Sequence, residues 1–561
     1  MTLVVAAGKI YPMQARSLLL SVLVATSLAA QTYDLDAAIK LREAAPAALK
    51  SITAQDLAAH LAELASDAYE GRLTGTAGQQ KAAEYIARHF ASCGLEPLGD
   101  EQPEGRAWTQ HYPVTLRSVD ASSGVRTLDD KPLNKRGAWA LARVSVLNSF
   151  ARDAKAVWLG ASKKSDLEGK SLANTIPVIS VAMDTSGDAT MDVNAAMMRG
   201  MTREFGAVRE KANVLHSAGA RCGIVVTRTF NKAFLSCANM MAVYPGKPEV
   251  RLKTGGGMGM QMSFTAKIPL LIVAADDALA VLAALGLEDK ALDAGAQFVE
   301  CKNSLRFTLK TEDREANASN VVGFLRGSDP TLSEEALVFS AHMDHVGLAP
   351  DGQAFNGADD NGSGTSTLLE LAQAAGQLAA SERPKRSLIF LSVSGEELGL
   401  WGSSFYAENP TWPLKNLIAN INIDMIGRST DAVPADVISV TPTFSHKKYS
   451  TLARDAALLG GAFNLKLTNG DRFYSRSDHF NFARKGVPVV FFCDDEHIDY
   501  HMTTDDPEKI EVAKVERIAQ LAFLLGLRTA NAEGRPSTIG PHQNWFGDPK
   551  PSKIEPAKEG K

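Results

Sequence analysis

Between residues 320 and 493, short and continuously apolar runs alternate with helix-like stretches: NVVGFLRG, ALVFSAHMDH, a helical segment near 366–378, SLIFLSVSG, another near 401–408, LIANINIDMIG and VPVVFFCDD. Apolar runs that show no polar alternation are strands buried on both faces. Their alternation with helices predicts an α/β domain, a three-layer sandwich around a mostly parallel mixed sheet.

In open α/β sheets, ligands bind beyond the carboxyl ends of the strands, and here those ends carry the chemistry-bearing residues. His342 and Asp344 stand two apart at the end of ALVFSAHMDH, a spacing that puts both on one side of a strand. Asp359 and Asp360 fall in the Gly-rich loop NGADDNGSG, Glu396 and Glu397 follow SLIFLSVSG, Asp424 closes NINID, and His501 lies in the loop after VPVVFF. Any one of these alone is ordinarily a solvated loop acid or a structural histidine. Gathered at one sheet edge, they concentrate negative charge at a cost that cations would offset. Imidazoles with several carboxylates are the N and O donors that suit Zn²⁺. No H-E-x-x-H motif occurs, so a single-zinc helix site is excluded, and the spacing points to a two-metal hydrolase.

The rest of the chain frames this domain. With 561 residues there is material for three or four domains. A net charge of −5 argues against a nucleic-acid partner. The cysteines at 93, 222, 237, 301 and 493 form neither a dense disulfide scaffold nor a C-x-x-C clip. Lys9 and Arg16 precede the apolar run Leu18–Ala30, which ends in small residues and is too short to span a bilayer. Residues 1–30 therefore read as a signal peptide, with an exported product in the periplasm or outside the cell, and no membrane span follows. Residues 31–115 read as the N-terminal part of the main unit, where Thr53 opens a T-x-x-D cap and EGRLTGTAG links two helices. Residues 116–310 read as an inserted mixed α and β module, 311–528 as the main domain, and 529–561 as a Pro-, Lys- and Gly-containing disordered tail.

The blocks NVVGFLRGSDP, AHMDHVG, NGADDNGSGT, SGEELGLWGS, NIDMIGR, SRSDHFNF and YHMTTDD resemble, in order, those of the co-catalytic zinc aminopeptidases of metallopeptidase family twenty-eight. HSAGARCGIVV and IPLLIVAADDALAVL resemble an inserted protease-associated domain. The resemblance implies the zinc exopeptidase fold and two Zn²⁺ ions. His342 and Asp424 would serve one ion, Glu397 and His501 the other, and Asp359 would bridge them. It makes Glu396 the general base, Asp344 the acid that orients His342, and Tyr474 the tyrosine that holds the oxyanion. It also implies an Asp359–Asp360 cis peptide, and a role for Asp505 behind the final ligand. His345, His479, Glu370, Glu496, His497 and Asp499 have no ligand position in the pattern.

The implied substrates are peptides with a free N-terminus. One alternative is a glutamate-carboxypeptidase-like exopeptidase, for which Arg428, Arg472 and Arg476 are the nearest arginines. The other is a non-catalytic, receptor-like binding protein. Oligomeric state is not legible in the sequence.

Overall fold

The computed structural model describes residues 35–134, 139–141, 149–188, 195–196, 199–253, 268–349 and 351–546. The expected signal peptide lies outside them, as do residues 547–561 of the expected tail.

Among the described residues three α-helices come first: α1 (Leu35–Glu43), α2 (Ala54–Leu64) and α3 (Ala77–Ser92). Thr53 caps α2 as its sequence predicts. Its Oγ1 accepts from the Asp56 amide at 3.2 Å and donates to Asp56 Oδ2 at 2.8 Å, satisfying an amide of the first turn that has no partner within the helix.

The main sheet contains β1 (Thr109–Val119), β2 (Glu249–Leu252), β3 (Thr311–Leu325), β4 (Ala336–His342), β5 (Ser387–Val393), β6 (Leu417–Ile423), β7 (Val437–Thr441), β8 (Lys466–Asn469) and β9 (Val489–Cys493). They lie in the order β2-β1-β3-β5-β4-β6-β9-β7-β8. The central strands β5, β4, β6 and β9 are parallel, and antiparallel pairs β3·β5 and β9·β7 flank them, so the sheet is mixed. Every residue of β4, β5 and β6 is buried, as a sheet covered on both faces requires.

Helices α4 (Gly364–Gly376), α5 (Trp401–Glu408), α6 (Thr451–Gly460), α7 (His479–Arg484) and α8 (Val512–Asn531) supply the outer layers. One sheet face sends Leu337, Phe339, Leu388 and Phe390 into a core shared with α2, α3, α4, α6 and α8. The other sets Val338, Ile389 and Leu391 against Tyr406 of α5 and Phe482 of α7. Alternate residues of one strand thus feed opposite cores, which completes the three layers. At one point α8 runs so close to β4 that a Cβ on Gly526 would lie 2.2 Å from Phe339 Cζ. A glycine inside a helix costs about 1 kcal/mol against alanine; this contact explains why one is kept.

Between β1 and β3 the chain builds a second, eight-stranded sheet with its own apolar core. Its parallel centre consists of Phe150–Gly160, Thr175–Ser180, Gly223–Thr227 and Leu270–Ala274, with helices Phe205–Ser217 and Ala275–Leu285 packed on it. The strands of this second sheet all fall within residues 116–310. One strand of the interval, β2, leaves it to pair with β1 of the main sheet. The Tyr244 hydroxyl donates to the Leu348 carbonyl, joining the module to the loop that follows β4.

The tail departs from its expected disorder. Helix α8 continues to Asn531, and the Ile539 amide then donates to Tyr449 O at 2.8 Å while Trp545 and Phe546 pack on the main core. Three apolar anchors among polar residues hold this stretch against α6 and its approach. Among the described residues no helix is long and apolar enough to cross a membrane.

Candidate metal centre

Register brings the functional loops to one edge. His342, the last residue of β4, pairs with Val393 of β5, three residues before Glu396. Ile423 pairs with Phe492, and the next amide, Asp424 N, donates to Phe492 O at 3.2 Å. Parallel strands that end level deliver their following residues to one place.

Two clusters form there: His342, Glu396 and Asp424, and His345, Asp360, Glu397 and His501. Within each, the candidate donor atoms all lie within 4.8 Å of one another. Asp360 faces both clusters. Its Oδ1 lies 3.4 Å from His342 Nε2 and its Oδ2 lies 2.9 Å from His501 Nε2. His342 Nε2 stands 3.2 Å from Asp424 Oδ1, and Glu397 meets His345 Nδ1 at 2.7 Å and His501 Nε2 at 3.0 Å.

Of the residues singled out in the sequence, His342, Glu396, Glu397, Asp424 and His501 are brought together, and Asp359 is not. Its Oδ1 accepts from the Gly427 amide at 2.7 Å and its Oδ2 lies 3.2 Å from His497 Nε2, away from both clusters. Asp360 takes the shared position instead, and the cis peptide falls at Asp360–Asn361 rather than Asp359–Asp360. Asp505 holds the turn by accepting from the amides of Asp359 and Asp360 at 3.0 and 3.2 Å. His345, left without a ligand position by the sequence pattern, joins the second cluster.

Asp344 lies behind His342. The imidazole Nδ1 is 3.1 Å from the Asp344 carbonyl and 3.7 Å from its carboxylate. The same carboxylate accepts from the Glu396 amide at 3.3 Å. Asp424 accepts from Ser477 Oγ at 2.7 Å. Tyr474 does not line the site; its ring packs against His446 at 4.2 Å between centroids, and against His479 and Phe480. Tyr500, stacked on His501 at 3.9 Å, lines the cavity in its place.

The electrostatics are those of a site short of positive charge. Burial opposes a charge on His342, yet Asp424, Glu396, Asp344 and Asp360 outweigh it and hold the imidazole well above its usual range. Burial likewise opposes charge on His501, but Glu397 and Asp360 push it up to about 10. Burial pushes Glu396 well up, Asp424 and Glu397 adding to the shift and His342 opposing it. His342 Nε2, His345 Nε2 and Asp424 Oδ1 are buried without a hydrogen-bond partner. Orphaned imidazole and carboxylate atoms converging on two points fit divalent metal ions, and the N and O donor set fits zinc.

A cavity of about 380 Å³, open mouth included, begins at Asp360, Glu396 and Asp424. Met425, Phe473, Phe491, Cys493 and Tyr500 give it an apolar wall. Arg476 and Glu496, paired at 2.5 Å, complete the lining.

Residues 320–525 match the model for Peptidase family M28. Over 230 residues the chain is 28% identical to Aminopeptidase YwaD of Bacillus subtilis (strain 168), covering 40% of this chain and 47% of that protein. The chain spans about half the length of the curated relatives it matches. Among solved structures, BSAP, a zinc aminopeptidase from Bacillus subtilis, superposes with a TM-score of 0.51 at 19% identity, over 84% of this chain and 94% of that one. The Peptidase M28 precursor from Shewanella amazonensis SB2B superposes with a TM-score of 0.51 at 18% identity, over 91% of this chain and 100% of that one. At these identities the two structures show a shared fold.

Proposed function

We propose that this chain, whose residues 320–525 match the model for Peptidase family M28, is an exported zinc aminopeptidase that removes residues from peptides with a free N-terminus. The observation that carries the reading is Asp360, one carboxylate oxygen of which faces each donor cluster. His342 and Asp424 would hold one zinc, Glu397 and His501 the other with His345 beside them, and Asp360 both. Two zinc ions held there would supply Lewis acidity and lower the pKa of a water toward neutrality.

The chain's own residues do the rest. Glu396 lines the cavity next to His342 and Asp424, where its carboxylate takes a proton from the attacking water and returns it to the leaving amine. Asp344 fixes the His342 ring and, through the Glu396 amide, the base itself. Tyr500, which lines the cavity where Tyr474 does not, would take the part of the donor to the carbonyl oxygen. The apolar wall of the cavity suits the first side chain of a peptide. The apolar run Leu18–Ala30 behind Lys9 and Arg16 supports export to the periplasm or the exterior, and the inserted module is read as a protease-associated domain.

The arginines favour this over an acidic carboxypeptidase. Arg428 is paired with Asp499 at 2.9 Å, Arg472 with Asp495, and Arg476 with Glu496, so each already faces an acid. A non-catalytic binding role sits poorly with a full donor set and a half-buried Glu396 lining the cavity.

The test is zinc analysis of the purified protein, with hydrolysis of amino-acyl p-nitroanilides measured beside N-blocked peptides and peptides with acidic C-termini. Two zinc ions per chain, with release only from free N-termini, is the expected result. Release of acidic C-terminal residues would replace the reading.

A further inference from the structure

The turn that links α2 to α3 carries a buried cation that the reaction does not use. Arg72 is 1% exposed, and its guanidinium donates to four backbone carbonyls: Nε to Met343 O at 2.8 Å, Nη1 to Leu64 O at 2.7 Å and Asn356 O at 2.6 Å, and Nη2 to Gly357 O at 2.9 Å. Met343 lies between His342 and Asp344; Asn356 and Gly357 lead into Asp359 and Asp360. The main chain of the turn bonds the same loop, His345 N to Arg72 O at 3.3 Å and Gly347 N to Gly71 O at 3.0 Å. The approach leaves no room for a side chain at Gly71, where φ is +64° and a Cβ would lie 2.1 Å from Gly347 O. Two residues after Arg72, Thr74 Oγ1 donates to Asp344 Oδ2 at 2.8 Å and accepts from Gly395 N at 2.9 Å.

One short turn, about 270 residues upstream of the site, therefore holds the loops that deliver His342 and His345, Asp360, and Glu396 and Glu397. Carbonyl oxygens converging on one point repel each other unless a donor sits between them. The planar fork of arginine answers several at fixed angles, which the single ammonium of lysine cannot do. Ligand sets must be held within about 0.5 Å of productive geometry, and irregular loops have no ladder of their own to do this.

We propose that Arg72, acting with Thr74, is a positioning residue that locks the three ligand loops together, so that the affinity of this chain for zinc depends on a turn that touches no metal. The proposal rests on the zinc reading above.

The test titrates zinc into chelator-stripped full-length protein against a chromophoric chelator, with thermal unfolding recorded in parallel. The proteins are wild type, Arg72→Lys, Thr74→Val and Arg386→Lys. Arg386 is the control: it is 2% exposed, bonds Ala532 O at 2.6 Å and Glu335 at 2.5 Å, and lies at the opposite end of β5 from the site. Loss of an outer partner of metal ligands typically weakens affinity about 10–100-fold. Arg72→Lys and Thr74→Val should show such a loss, and Arg386→Lys should keep wild-type affinity whatever its melting temperature. Should Arg72→Lys fail to fold, Thr74→Val decides. Wild-type affinity in a folded Arg72→Lys or in Thr74→Val, or an equal loss in Arg386→Lys, overturns the proposal. A wild-type protein that takes up no zinc overturns the metal reading together with it.

Discussion

The Lys514 ammonium of α8 lies 2.7 Å from Asp494 Oδ1, and neither side chain is open to solvent. The pair braces the back of the site. Lys514 Nζ also donates to Arg428 O at 3.0 Å, while Asp494 accepts from Arg428 N at 3.3 Å and its own amide donates to Met425 O at 2.6 Å. Helix α8 is thereby tied to the segment that follows Asp424.

Removing one partner of a buried pair leaves an uncompensated charge and typically costs about 3–5 kcal/mol, whereas replacing both is far milder. Lys514→Met should lose stability in that range, and Lys514→Met/Asp494→Asn should recover most of it. Urea unfolding of the two variants beside wild type measures this. A double variant no more stable than the single one would show that packing, not charge pairing, is what the position supplies.

Asp359 and Asp360 should respond differently to the same change. Asp360→Asn weakens an acceptor facing both clusters, so zinc per chain should fall at both sites. Activity should drop by about 3 kcal/mol or more, at least a hundredfold. Asp359→Asn keeps an oxygen for the Gly427 amide and should retain both ions with a milder rate loss. Metal analysis and kcat/KM on the two proteins decide between them. Asp359→Asn emptied of metal while Asp360→Asn stays loaded would restore Asp359 as the shared residue.

These neighbours mark where sequence reasoning runs out. The α/β sheet was legible because β4, β5 and β6 are unbroken apolar runs, and so was the edge at which their acids gather. Side-chain alternation orders residues only while a strand lasts, and β4 stops at His342. Beyond it His345 turns into the second cluster despite standing three residues from His342. In the 357–361 turn, Gly357 has φ +55° and no regular period decides which of two adjacent acids faces inward. The resemblance pointed to Tyr474 alone; Tyr500 is the one that stacks on His501 and lines the cavity, and stacking leaves no mark in spacing. Arg72 was invisible for another reason: its partners are carbonyls, which every residue has.

Adjacent Glu396 and Glu397 are given different work, and isosteric amides separate the roles. Glu396→Gln should keep both zinc ions while kcat falls about 10²–10⁴-fold with KM little changed. Glu397→Gln removes a carboxylate that lies 2.7 Å from His345 and 3.0 Å from His501, and should lose zinc from the second cluster. Metal content measured beside single-turnover rates checks both; an active, loaded Glu396→Gln enzyme would exclude it as the base.

His89 gives stability a dependence on pH that is independent of the metal centre. Burial, and then His60 beside it with ring centroids 4.5 Å apart, push its imidazole down to about 4. In the unfolded chain it titrates near ~6.5. A depressed histidine means that, between those values, the unfolded state binds a proton the folded state refuses. This contribution to stability is therefore intact above about pH 6.5 and declines as pH falls toward 4, at a slope of up to about 1.4 kcal/mol per pH unit. His89→Gln retains a donor for Leu369 O, which His89 Nε2 meets at 3.1 Å, and removes the titration. Urea unfolding at pH 7, 5.5 and 4.5 should then show the variant gaining on wild type at each step down, with carboxylate effects common to both proteins cancelling. A difference between the two that stays constant with pH would mean that His89 is protonated in the folded protein as readily as in the unfolded chain.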